Sequence, residues 1–222
     1  MKKHIPNTIT CCNLISGCIA TYLAFMGNFQ TALLFIIIGA VFDFFDGMVA
    51  RLLHVSSPIG KELDSLADCI TFGFAPSAIL FQYMSQFDAR SPLLAFVMAA
   101  FSALRLAKFN LDERQTMGFI GLPTPANALF WGALIVGAGQ STPYLYPVVL
   151  VGIFLSCYLL VSEIPMFALK FKTWGWKGNE LKYIFLLTCV PILLLLGISG
   201  LAAIIAWYVF LSVFNNSQEK KK

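Results

Sequence analysis

Apolar residues in this chain run in long blocks: segments 4–42, 69–87, 115–162 and 183–218 contain no Lys, Arg, Asp or Glu. About 20 apolar residues cross a hydrocarbon core of about 30 Å, so each block holds one or more spans. Polar or Gly/Pro-rich breaks divide them into about eight candidate spans, at 11–27, 31–53, 63–87, 91–111, 124–140, 144–169, 182–198 and 200–214. The pattern predicts an all-α fold: a polytopic transmembrane helical bundle of six to eight spans in a single integral-membrane domain, 1–222, with 170–222 as a peripheral C-terminal part. Only Gly197-Ile198-Ser199-Gly200 separates the last two spans, so one long bent helix is the alternative there. Met1-Lys2-Lys3 gives a basic start, but apolar sequence continues directly past Ser16-Gly17-Cys18, and the first segment reads as a retained span rather than a cleaved signal.

Composition changes this picture little. The 222 residues are 59% hydrophobic and 12% charged, with mean hydropathy +0.79, which excludes an ordinary soluble globule. Charge placement adds orientation. With the N-terminus cytoplasmic, the inside connections are 1–10, 54–62, 112–123, 170–181 and the C-terminal tail. Of the 15 Lys and Arg, only Arg90 then falls outside, as the positive-inside rule requires. The expected location is the cytoplasmic membrane, the inner membrane of a prokaryote. A pI near 8.7 does not point to nucleic acid, because the basic residues sit in short connections between apolar segments. Six cysteines lie scattered in those segments without metal-ligand spacing and read as small buried hydrophobes.

Aspartates inside apolar helices are costly and mark function by default. Four occur at ordered spacings: Asp43-x2-Asp46-Gly47-x2-Ala50-Arg51 closes the second span, and Gly60-x3-Asp64-x3-Asp68 opens the third. Helical periodicity puts Asp43, Asp46, Gly47, Ala50 and Arg51 on one stripe and Gly60, Asp64, Ala67 and Asp68 on another. A short connection makes the two spans antiparallel neighbours, so four carboxylates converge. Their mutual repulsion demands a cation, and all-oxygen ligands select a hard divalent ion. Gly47, Ala50 and Gly60 leave room beside it for a phosphate-bearing substrate, and Arg51 offers a bidentate phosphate donor.

These spacings, over residues 43–68, resemble the CDP-alcohol phosphatidyltransferase motif at every signature position. The resemblance implies a magnesium- or manganese-dependent transferase that displaces CMP from a CDP-linked lipid or alcohol. It further implies Asp43, Asp46 and Asp64 as principal metal ligands, Asp68 as a further ligand and general base, and Gly47, Ala50, Arg51 and Gly60 as the CDP-contacting surface. Asn13 and Thr10, from the first span, are polar candidates for the nucleotide pocket, Asn13 being counted with the CDP-binding set. Arg105-Leu106-Ala107-Lys108-Phe109-Asn110 and the segment from Gly118 to Asn127, with Pro6-Asn7-Thr8-Ile9-Thr10, look like the phosphatidylserine synthase branch. That branch implies CDP-diacylglycerol and L-serine as substrates, membrane lipids as surroundings and a homodimer as the assembly.

Arg105 and Lys108 are one turn apart and are expected to hold the lipid phosphate or the serine carboxylate; interfacial anchoring is the other reading. The Gly-Leu-Pro-Thr-Pro run predicts a fixed loop. Glu163 falls inside the sixth predicted span without an assigned role. Other acceptors, glycerol 3-phosphate or an inositol phosphate, would call for more cations than are evident. A divalent-cation transporter is the competing class, although its site would favour mid-bilayer rather than one end of two spans.

Overall fold

A computed structural model describes residues 4–55, 57–112, 118–139, 142–169, 175–176 and 178–219. Several cations used for orientation, Lys2, Lys3, Arg114, Lys170, Lys172, Lys177 and Lys220 to Lys222, lie outside the described residues.

Among the described residues eight helical rods appear, one for each expected span. Helices α1 (His4–Phe25) and α2 (Phe29–Leu52) form a hairpin. Gly27, at φ 73°, turns the chain, and the Asn28 side chain caps α2 by accepting from the Thr31 amide. The third rod, Pro58–Met84, comprises α3 (Pro58–Asp68), a π-helical turn (Cys69–Phe74) and α4 (Ala75–Met84). Ser57 caps it, with Pro58 in the first turn. A 3₁₀ turn leads into α5 (Ala95–Leu111), and α6 (Thr124–Ala138), α7 (Tyr146–Val161), α8 (Glu180–Leu196) and α9 (Ser199–Glu219) follow. Six of the rods are long and apolar enough to cross a membrane, and the protein is an integral membrane protein. Of the other two, α6 has 15 residues, about 22 Å of helix, and α8 has 17.

Two expectations are corrected, and a short strand pair is added to the all-α bundle. The sixth span ends at Val161 rather than 169: Pro165 cannot supply a helical N–H, and the chain turns extended there. Glu163 therefore lies beyond the helix. The fold also contains one antiparallel strand pair, β1 (Gly118–Ile120) with β2 (Pro165–Phe167), registered Phe119 opposite Met166. Finally, Cys157 is buried but Cys11 and Cys18 face outward, where a membrane helix presents apolar side chains to lipid.

The two readings of the C-terminus resolve to two helices. Gly197, at φ 55°, breaks the chain, and contacts between Thr188 and Trp207 and between Phe185 and Tyr208 define an antiparallel hairpin. In α8 Phe185 alone is buried, whereas α9 packs along α6.

The core is made by α1, α2, the π turn and α4 of the third rod, α5, α6 and α7 around Phe29, Phe72, Tyr83, Trp131 and Ile153. One end of the bundle gathers the expected site. Lys61 Nζ donates to the Asn110 carbonyl at 2.7 Å and Asn110 Nδ2 to Ser65 Oγ at 2.8 Å, tying the end of α5 to the start of α3. At the same end, the Leu122 amide donates to the Leu159 carbonyl at 2.8 Å, joining the approach to α6 to the last turn of α7. The Gly-Leu-Pro-Thr-Pro loop is thus fixed, with Gly121 at φ 74° packed so closely on α7 that a Cβ would lie 2.7 Å from the Leu160 carbonyl oxygen.

Candidate metal centre

Helix α1 presents Pro6, Thr10, Asn13, Gly17, Ala20 and Ala24 along one buried stripe, and that stripe packs against α2 and the third rod. The closest approach lies one turn beyond Asp68. Thr71, fully buried in the π-helical turn, donates its hydroxyl to the Asn13 carbonyl at 3.0 Å. Glycines on two helices make space for it. A Cβ on Gly17 would come within 2.8 Å of the Thr71 Cα, and one on Gly39 within 2.5 Å of Thr71 Cγ2. Small residues let backbones meet where no hydrophobic driving force separates lipid from protein. The Ala75 amide reaches back five residues to the Ile70 carbonyl, the bond that defines a π turn.

This junction holds the aspartates. Carboxylate oxygens of Asp43, Asp64 and Asp68 lie within 4.8 Å of one another. Asn13 Nδ2 donates to Asp68 Oδ1 at 3.1 Å, and the Thr10 hydroxyl donates to Asp46 Oδ2 at 2.6 Å. Asp64 Oδ1 is buried without a hydrogen-bond partner, as is Asn13 Oδ1. Converging anionic oxygens, one of them orphaned in an apolar setting, match the donor set of a hard divalent cation. The residues present fit such an ion.

A cavity of about 200 Å³ adjoins the cluster. Asp46, Gly47 and Ala50 form one wall, Ser57, Gly60, Lys61 and Asp64 another, and Pro6, Asn7 and Thr10 close it from α1. A Cβ on Gly47 would touch nothing within 4 Å, whereas one on Gly60 would meet Ser57 Oγ at 3.0 Å and Asn7 Oδ1 at 3.1 Å. Gly47 therefore keeps the cavity open, and Gly60 lets α1 approach α3.

The structure places the expected residues unequally. Asp46, Gly47, Ala50, Gly60 and Asp64 line the cavity together. Asn13 does not line it; fully buried, it stands behind Asp68. Arg51 is exposed at the rim, its Nε donating to the Gly47 carbonyl at 3.0 Å, in a surface hollow that shares Ala50 and Val55 with the cavity. Arg105 is buried, with its guanidinium 5.1 Å from the Phe109 ring centroid and within electrostatic reach of Asp68 and Tyr208. Lys108 is exposed, its Nζ 3.5 Å from the Val161 carbonyl. Both line a second, smaller cavity with Asp112 and Glu163, so their one-turn spacing does bring them to a common space.

Sequence reasoning gave Lys61, Asn7 and Thr71 no place in the site. Lys61 had a signal, since it directly follows Gly60 in the motif, but it read as one more inside cation. Thr71 had none, because a π turn advances the chain by one residue more than helical periodicity expects.

A family model described as CDP-alcohol phosphatidyltransferase matches residues 3–214. A CDP-diacylglycerol–serine O-phosphatidyltransferase of Bacillus subtilis is 36% identical over 163 residues, 73% of this chain and 89% of that protein. Proteins of the same description from Helicobacter pylori and Methanocaldococcus jannaschii are 35% and 37% identical over 127 and 137 residues, or 56% and 61% of this chain and 54% and 60% of theirs. A match along nearly the whole chain, in which Asp43, Asp64 and Asp68 come together, makes this protein a member of the CDP-alcohol phosphatidyltransferase family.

Proposed function

We propose that the protein is a phosphatidylserine synthase, which transfers the phosphatidyl group of CDP-diacylglycerol to the hydroxyl of L-serine and releases CMP. The observation that carries the chemistry is the meeting of three carboxylates, one with an orphaned buried oxygen, beside an open cavity floored by Gly47. The acceptor rests on the relatives' names and on the modest number of cations near the site.

In this reading Gly47, Ala50 and Gly60 receive the cytidine nucleotide, and Lys61 offers a positive charge to its phosphates. Arg51, at the rim, reaches the same phosphates by leaving its own helix backbone. Asp68 accepts the serine hydroxyl proton as the serine oxygen bonds to the phosphorus that carries diacylglycerol; the bond from that phosphorus to the CMP oxygen breaks, and CMP leaves with the electron pair. Asn13 fixes Asp68 in place through its Nδ2 donor. Arg105 and Lys108 hold the serine carboxylate or the lipid phosphate. A magnesium or manganese ion held by Asp43, Asp46, Asp64 and Asp68 would supply charge neutralisation at the pyrophosphate.

The aspartates sit at one end of their helices, which suits a reaction between a bilayer-dissolved donor and a water-soluble acceptor. The positive-inside distribution supports placing that end in the cytoplasm, and the reading places the protein in the cytoplasmic membrane. The homodimer implied by the family belongs to the same reading and is read from the native mass of the detergent-solubilised protein. The deciding experiment follows CMP release by purified protein from CDP-diacylglycerol with serine, glycerol 3-phosphate or inositol phosphate, with and without EDTA. Serine-dependent release that EDTA abolishes and magnesium or manganese restores is expected. Release with another acceptor alone would reassign the substrate, and metal uptake into vesicles without CDP-lipid would favour a transporter.

A further inference from the structure

A third cavity, of about 290 Å³, lies between α6, α7 and α9 and shares no lining residue with the aspartate cavity or with the one lined by Arg105 and Lys108. Its walls are mostly apolar, among them Phe130, Leu134, Leu155 and Val209. Trp131 closes one side, seated where a Cβ on Gly152 would lie 2.5 Å from its ring. The Trp131 indole N–H donates to Ser156 Oγ at 2.9 Å. One polar group is left over. Asn127 lines this cavity, is fully buried, and has no hydrogen-bond partner for either Nδ2 or Oδ1.

A buried amide left unsatisfied is costly, and such a group in a folded protein asks for a ligand atom. Water alone suits the space poorly. It needs two to four polar partners, and past the carboxamide the walls turn to hydrocarbon. The cavity has a polar end and an apolar end. Asn127 sits in the first turn of α6, near the Leu122–Leu159 backbone bond at the aspartate end of the bundle. Leu134 and Val148 line the deeper part, about 10 Å further along α6. Val148 and Leu155 are 54% and 56% exposed on the outer face of α7, so the slot opens toward bilayer hydrocarbon. A donor near the interface above an apolar slot is the shape and chemistry of an ester-linked acyl chain.

We propose that this cavity is a lipid site separate from the reacting centre, seating one acyl chain of a bilayer phospholipid whose ester carbonyl accepts from Asn127 Nδ2. The test uses the full chain in phosphatidylcholine nanodiscs doped with a phosphatidylcholine carrying a diazirine within one acyl chain. After photolysis, adducts are mapped by peptide mass spectrometry. Adducts concentrate on Phe130, Leu134 and Val209, above the level at Leu194, an outward residue of α8 that reports bulk lipid. Asn127→Leu, which removes the donor without adding bulk, and Ala206→Phe, which fills the slot from α9, each lower that yield by about fivefold, while CMP release stays within about twofold of the parent. Excess CDP-diacylglycerol leaves the adducts unchanged. Adducts no denser than at Leu194, or insensitive to both substitutions, would overturn the proposal. Displacement by CDP-diacylglycerol would overturn it as well, by assigning the slot to the reacting lipid, while serine-dependent CMP release independently tests the proposed reaction.

Discussion

At the scale of single residues, the site depends on two donors from α1 as much as on the carboxylates they hold. Asn13 and Thr10 are one turn apart, and each directs a different aspartate, Asp68 and Asp46. Loss of a group that orients a metal ligand costs about 10- to 100-fold in metal affinity or activity. Asn13→Ala is expected to lower CMP release by about that factor and to raise the manganese concentration needed for half-activation; an unchanged metal titration would show that Asn13 only packs. The glycines divide similarly. Gly47→Ala adds a methyl group into open cavity, so the expected result is a higher KM for CDP-diacylglycerol with little change in Tm. Gly17→Ala drives a methyl into the Thr71 backbone and is expected to lower Tm by several degrees, since overpacking costs about 1–3 kcal/mol. The aspartates were legible in the sequence because a carboxylate in an apolar helix needs a reason to be there. Asn13 was visible only as a polar residue on the right helix. Whether it faced the nucleotide or stood behind Asp68 depended on how closely α1 approaches α3, and Gly17, Gly39 and Gly60 set that distance without a pattern of their own.

At the scale of elements, the helix ends around the site carry the less usual backbone. Helix α2 finishes in a left-handed residue, but that residue is His54, at φ 51°, where glycine is the ordinary occupant. The bond that closes the turn, from the Val55 amide to the Ala50 carbonyl at 3.0 Å, links two residues of the cavity wall. Left-handed geometry costs a side-chain-bearing residue about 1–2 kcal/mol, so His54→Gly should retain activity and raise Tm, whereas His54→Val should lower it. A drop in Tm for the glycine variant would mean that the imidazole makes a stabilising contact outweighing the backbone cost. The π turn at Cys69–Phe74 and the β1–β2 pair escaped sequence reading for a common reason. Each is only a few residues long, and each is set by partners distant in the chain: Asn13 for Thr71, and residues 165–167 for 118–120. The eight rods were legible because spans of 15 to 27 residues outlast local exceptions. Their ends were not, and the sixth stopped short of 169 where Pro165 made the chain extended.

At the scale of the whole molecule, the arrangement of connections makes a claim about sidedness that can be checked directly. The connection after Met84 and the one after Leu52 lie at opposite ends of the third rod. Positive-inside counting puts the first of these, with Arg90, outside, and the second, with the aspartate centre, in the cytoplasm. Asp88 makes the outer connection a stable place to probe. Its carboxylate accepts from the Ala89 and Ser91 amides, at 2.8 Å each. The Ser91 hydroxyl foremost, with these amides and that of Arg90, holds its pKa down to about 2. A depressed carboxyl pKa adds stability above the unfolded value and loses it as pH falls through about 2, so this turn keeps its cap at every ordinary assay pH. In a background without the six native cysteines, A89C should react with a membrane-impermeant maleimide on intact cells. H54C, beside the metal centre, should react only after the membrane is opened. Labelling of H54C on intact cells would place the aspartates outside, away from cytoplasmic serine, and would break the proposed function at its supply of acceptor even if the purified protein released CMP.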